Sequence, residues 1–167
     1  MYRGNWEEDC YEGEGTEKRM DGSTYEGNFR RGKKQGQGVF VLEDGTKYDG
    51  AWEDDTMQGY GVQTWADGRR YEGEWKGGQM HGRGKYSWET GRMYKGEYKE
   101  GQKHGWGIFI WEDGMQYEGE WLNGKQHGKG RMLMPNGKAL EGVWDEGKRL
   151  SWTSGSAENS PVKRRTF

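Results

Sequence analysis

The sequence predicts an all-β chain: an elongated, twisted, single-layer antiparallel sheet built from tandem β-hairpin repeats. Three observations predict it. An aromatic and glycine pattern returns every 23 residues, the pattern inside each unit has a period of two, and Asp-Gly or Asn-Gly pairs separate the alternating runs. Tyr2, Tyr25, Tyr48, Tyr71, Tyr94 and Tyr117 keep the 23-residue spacing, and Leu140 continues it. Two residues after each comes Gly4, Gly27, Gly50, Gly73, Gly96, Gly119 or Gly142. Two further on comes an aromatic: Trp6, Phe29, Trp52, Trp75, Tyr98, Trp121 or Trp144. A Gly-x-Gly follows in six units, from Gly13/Gly15 to Gly128/Gly130.

The first strand of each unit is Tyr-x-Gly-x-Trp. Successive side chains of a strand point to opposite faces, so these three share one face. The second strand repeats the device, as in Gly105, Gly107, Phe109 and Trp111. Asp-Gly between two such runs is a hairpin signal. It occurs at Asp21-Gly22, Asp44-Gly45, Asp67-Gly68 and Asp113-Gly114, with Thr90-Gly91 and Asn136-Gly137 in the same place. Pairs such as Asn123-Gly124 mark the other turn. No helical period of 3.6 runs through the array. A three-residue loop starting at the Asp sets Trp111 opposite Tyr117, Phe109 opposite Gly119 and Gly107 opposite Trp121. Each ring then lies over a glycine and covers the backbone that glycine leaves bare, with cross-strand pairs contributing roughly 0.2–1 kcal/mol each.

The seventh unit departs from the pattern, with Leu140 for Tyr and with Ser151 and Thr153 where Gly-x-Gly stands elsewhere. It is expected to supply one strand and stop. The array then spans residues 1–152, as about six full repeats plus a terminal half repeat, and about thirteen strands at ~4.8 Å make a rod of roughly 60 Å. Residues 153–167 are Ser-rich, then basic (Lys163-Arg164-Arg165), and read as a disordered tail.

Composition bounds the function. The chain has 167 residues; 29% are hydrophobic, 32% charged and 14% aromatic, and ten Trp and ten Tyr separate it from aromatic-poor disorder. A net charge of −2 gives no global field favouring nucleic acid, which is not expected as a partner. Cys10, the only cysteine, excludes a disulfide framework. The first residues have no apolar core of a signal peptide, and no apolar run reaches the roughly 20 residues of a membrane helix.

Tyr-Glu-Gly-Glu-Trp-x-x-Gly-x-x-His-Gly-x-Gly, whole at Tyr71–Gly84 and Tyr117–Gly130, resembles the MORN (membrane occupation and recognition nexus) repeat. The resemblance runs from residue 2 to about residue 150. Asp9 and Asp55 stand where it expects Gly. It implies a stacked-hairpin sheet that binds protein partners in cytoskeletal assemblies, such as ciliary axonemes and their radial spokes or the cell cortex, and so a cytoplasmic, cytoskeleton-associated location. It also implies self-association, here as a homodimer. The alternatives are a peripheral membrane or phosphoinositide-binding module, which acidic turns disfavour, and a regulatory fragment of a larger enzyme.

The residues themselves point to no catalysis, cofactor or metal. His81, His104 and His127 recur at one repeat position, but like positions two strands apart lie roughly 10 Å from each other, too far for one zinc ion. Glu72, Glu74, Glu118 and Glu120 recur without a cleft to perturb one of them, and read as a solvated face. Gly-x-Gly precedes strands, never the helix a phosphate loop needs. The aromatic face is the candidate for partner binding, because a single layer is not expected to bury all its rings. Trp75, Trp88, Tyr94, Trp111 and Trp121 are the candidate groove for a helix or extended segment. A second candidate patch on the opposite face comprises Val39, Val41, Tyr60, Val62, Trp106, Ile108 and Ile110. Lys76, Lys99, Lys103, Lys125, Lys148 and Arg149 read as solubilising turn charges.

Overall fold

A computed structural model describes residues 1–154; the tail expectation for the residues beyond lies outside them. Fourteen strands form one open antiparallel sheet in chain order: β1 (Tyr2–Glu7), β2 (Cys10–Lys18), β3 (Thr24–Arg30), β4 (Lys33–Val41), β5 (Lys47–Glu53), β6 (Thr56–Thr64), β7 (Arg70–Lys76), β8 (Gln79–Ser87), β9 (Met93–Lys99), β10 (Gln102–Ile110), β11 (Gln116–Leu122), β12 (Lys125–Leu133), β13 (Ala139–Asp145) and β14 (Lys148–Ser154). Among the described residues there is no helix.

Two turn types alternate. Within a repeat, two residues with positive φ link the strands, as at Asn123 (50°) and Gly124 (81°). That is the turn whose twist matches paired strands, and Asn-Gly suits it. Between repeats the loop has three residues. Trp111 and Met115 close it, with the Trp111 amide donating to the Met115 carbonyl at 2.9 Å. Inside it, Gly114 takes φ +80° and Asp113 accepts the Met115 amide at 3.0 Å.

This loop corrects the expected register. It starts one residue before the Asp, because the Asp carboxylate caps the amide two residues on and the Gly must hold the left-handed last position. Phe109 therefore pairs with Tyr117, Gly107 with Gly119, and Gly105 with Trp121. At the first two of these positions ring faces ring and glycine faces glycine. Glycine is still covered by a ring, but diagonally. The Tyr71 ring reaches over Gly84 on β8, and a Cβ on Gly73 would lie 2.5 Å from the Gly84 Cα. The two backbones approach so closely that neither position accepts a side chain.

Repeat seven is a second correction. It supplies β14 as well as β13, with Gly142 opposite Trp152 and Val143 opposite Ser151. Main-chain pairing does not require the glycines, and the register is irregular at two points where they are missing.

Within each of the first six repeats the paired strands differ by a bulge of two residues. Gly73 pairs with Gly84 and Glu74 with His81, so Gly82 and Arg83 fall in the register shift between β7 and β8 and pair with β9 instead. Gly82 is left-handed (φ +57°), and Glu74 Oε1 accepts the Arg83 amide at 2.9 Å. Glu120 does the same for Lys129 at 3.2 Å. These acids bind the main chain of the bulge, a role the solvated-face expectation did not contain.

Candidate functional site

The ring face is a zigzag of edge-on aromatic contacts. Along one strand, Tyr71 meets Trp75 with centroids 5.1 Å apart; across two strands, it meets Tyr98 at 5.3 Å. The same step links Tyr48 to Trp75, Tyr94 to Trp121 and Tyr117 to Trp144, at 5.3, 5.2 and 5.0 Å. Strands two apart are separated by roughly 10 Å. The rings span that gap only because glycine on the strand between offers no obstruction. The hydroxyls of the leading Tyr are also satisfied: Tyr71 donates to the Glu74 carbonyl at 2.9 Å and Tyr94 to the Glu97 carbonyl at 3.0 Å. Burial drives these phenols up, to about 12 for Tyr25 and Tyr48 and further for Tyr71, Tyr94, Tyr98 and Tyr117.

The single layer buries many of its own rings but, as expected, not all of them. Of the five candidate groove residues, Trp75, Tyr94 and Trp121 are 5%, 0% and 6% exposed and lie beneath their neighbours. Trp88 and Trp111 remain half-buried. Both stand beyond the Gly-x-Gly, where no Tyr of a following repeat covers them. They meet at Phe109, whose centroid is 5.7 Å from Trp88 and 4.8 Å from Trp111.

The opposite face divides the second candidate patch in two. Val39 and Val41 on β4 and Tyr60 and Val62 on β6 are brought near each other, separated by Asp49 on β5. Trp106, Ile108 and Ile110 lie on β10, four strands farther along. Glu72 and Lys85 on the intervening strands are paired across β7 and β8. The reason is sheet order, which keeps repeats two and three away from repeat five. Tyr60 is 57% exposed and donates to Glu72 Oε1 at 2.8 Å.

Three cations on the ring side were not among the predicted site residues. Lys34 is 5% exposed; its Nζ lies 5.3 Å from the Tyr25 and Phe40 centroids, 5.5 Å from Trp52 and 3.7 Å from Asp55 Oδ1. Lys103 Nζ lies 4.7 Å from Phe109, 4.8 Å from Trp121, 5.4 Å from Tyr94 and 5.8 Å from Trp88. Burial, with the positive charge of Arg92, pushes the Lys103 ammonium down to about 8. The Arg92 guanidinium is 5.2 Å from the Trp88 ring. The available signal was positional. Tyr11, Lys34, Met57, Met80, Lys103, Gln126 and Arg149 share the 23-residue spacing, and a two-residue turn places Lys103 opposite Tyr98, on the ring face rather than in the turn.

His81, His104 and His127 pair across the strands with Glu74, Glu97 and Glu120, and His127 Nδ1 lies 3.2 Å from Asp145 Oδ1. Among the described residues, no group of His, Cys, Asp and Glu is arranged to hold a metal ion.

A search of curated proteins finds no match. One solved structure that the chain matches is the TCP domain of Drosophila melanogaster SAS-4 (dCPAP), in complex with a proline-rich motif of Ana2 (dSTIL). It is 12% identical, with 77% of this chain and 70% of that chain covered and a TM-score of 0.49. The family model for the MORN repeat matches residues 2–24, 25–47, 48–69, 71–91, 94–116 and 117–139. Those matches fall in phase with six consecutive hairpins and cover most of the sequence, so the chain belongs to the MORN repeat family.

Proposed function

We propose that this chain is a non-catalytic scaffold whose ring face, at Trp88 and Trp111, seats a helix or extended segment of a protein partner. The observation that supports this most is selective burial. The sheet closes over Trp75, Tyr94 and Trp121 yet leaves those two indoles open beside Phe109. Partly open tryptophans flanked by buried rings make good binding anchors, because the surrounding packing holds them rigid at little entropic cost. The proposed setting is a cytoplasmic, cytoskeletal assembly, such as an axoneme with its radial spokes or the cell cortex. Two copies joined by their edge strands form the proposed homodimer, which sedimentation over a concentration range reads directly.

The test is partner capture with Trp88→Leu and Trp111→Leu, which keep apolar volume. At least one variant is expected to lose about tenfold or more in partner affinity, roughly 1.4 kcal/mol, with its melting temperature nearly unchanged. If both variants bind every captured partner normally, the ring face is structural only. Pelleting with anionic liposomes distinguishes the membrane reading.

A further inference from the structure

Lys34 and Lys103 occupy the same repeat position, three repeats apart, and both ammonium groups sit among rings. They differ in one respect. Lys34 has its carboxylate built in: Asp55, in the next turn, lies 3.7 Å from the ammonium and also accepts the Lys34 amide at 2.9 Å. Asp55 takes a left-handed φ of +65° there, in a position that is glycine in most repeats. The corresponding residue beside Lys103 is Gly124, at φ +81°. The local backbone is the same. Asp55 N donates to Lys34 O at 3.1 Å, and Gly124 N donates to Lys103 O at 2.9 Å. Among the described residues, no carboxylate pairs with Lys103.

A second cation reinforces the asymmetry. The Arg92 guanidinium lies on Trp88, as Lys103 does, and among the described residues its buried Nε has no hydrogen-bond partner; Glu112 Oε1 is 3.6 Å away. Two positive groups thus flank one of the open indoles. Rings hold a cation in place but do not replace an anion, and a partly desolvated charge gains most from a charge-assisted hydrogen bond.

We infer that the partner segment presents an aspartate or glutamate carboxylate to Lys103 and Arg92 beside Trp88, supplying from outside what Asp55 supplies to Lys34. The inference rests on the proposed partner-binding reading and names the chemistry of its occupant: an acidic residue next to an apolar one. The carboxylate fixes the register of the segment, and the apolar neighbour covers the indole. Burial and the charge of Arg92 push the Lys103 ammonium down, and a carboxylate bound beside it acts in the opposite sense.

The probe is a displayed library of short random peptides, selected on the full chain. Retained peptides are expected to share an acidic residue at fixed spacing from an aromatic or large aliphatic one. The best of them, made synthetically, is expected to lose at least tenfold in affinity for Lys103→Met, a residue that two other repeats carry at this position. It should lose as much for Gly124→Asp, which installs the internal competitor. Changing the peptide's acid to its amide should weaken binding to the wild type by a similar factor and add little on Lys103→Met. Melting curves of both variants guard against unfolding. Peptides that bind through Trp88 and Trp111 with no shared acid, or equally well to Lys103→Met, overturn the inference and leave the ring-face reading standing. Binding indifferent to Trp88→Leu and Trp111→Leu, or no retained peptide, overturns both.

Discussion

The indole of Trp75 donates through Nε1 to the carbonyl of Gly61 at 3.2 Å, and this bond ties the fourth repeat to the third. Trp52 bonds Gly38 and Trp121 bonds Gly107 in the same way, at 3.1 and 3.2 Å. In the fifth repeat Tyr98 holds the tryptophan position, and its buried hydroxyl has no partner among the described residues. A buried polar group without a hydrogen bond costs about 1–3 kcal/mol. Tyr98→Trp, able to donate to Gly84, is therefore expected to raise stability by about 1 kcal/mol. Urea unfolding measures it; an unchanged or lowered midpoint refutes the tie.

Gly119 is flanked by glycine on both sides, Gly107 and Gly130. A Cβ there would lie 2.6 Å from the Gly130 Cα and 2.8 Å from the Lys129 carbonyl oxygen. Both obstacles are main chain, so neither moves aside as a side chain would. Gly119→Ala is expected to cost at least about 2 kcal/mol, within the range for overpacking. A melting temperature within a degree of wild type would show that the backbones are not this close.

Glu118 and Glu120 occupy equivalent places in the motif's two acidic positions but do different work. Glu120 accepts the Lys129 amide in the bulge, while Glu118 faces Ile108 and Arg131 across the strands. Glu120→Ala should lose about 1 kcal/mol or somewhat more, because the acceptor is ionised. Glu118→Gln should change stability by less than about 0.5 kcal/mol. Equal effects in chemical denaturation would remove the capping role.

Stability should pass through a maximum in alkali. The folded chain releases the Lys103 proton near pH 8, whereas an unfolded lysine holds its proton to its ordinary value of 10.5. Between those values the unfolded state binds more protons, so stability rises with pH. Lys34, lowered chiefly by burial, adds in the same sense. Above about pH 10 the unfolded tyrosines ionise, while Tyr25 and Tyr48 stay protonated to about 12. The folded state then holds more protons and stability falls. Urea midpoints between pH 7 and 11 should show the rise and fall in wild type, and Lys103→Met should flatten the rise. A rise of equal size in that variant would assign it elsewhere.

The all-β class, the 23-residue unit and the sharing of one face by Tyr71, Gly73 and Trp75 follow from the sequence alone, because each rests on local physics. Strand alternation has a period of two whatever the neighbours do, and Asn123-Gly124 suits a turn with two positive φ angles wherever it stands. Register was not legible, since Asp113-Gly114 marks a loop but not which residue opens it. The structure decides that through the Asp113 cap on Met115, and the whole pairing of β10 with β11 shifts with it. Nor could the sequence divide Trp121 from Trp111. Trp121 is covered by Tyr94, a residue 27 positions away that reaches it only across an intervening strand, and Trp111 has no such cover. The same holds for Lys103, which reads as a turn charge until the two-residue turn sets it opposite Tyr98 and among rings. Backbone preference acts over a few residues and is written in order along the chain; burial and charge environment are sums over neighbours that only the stacked sheet brings together.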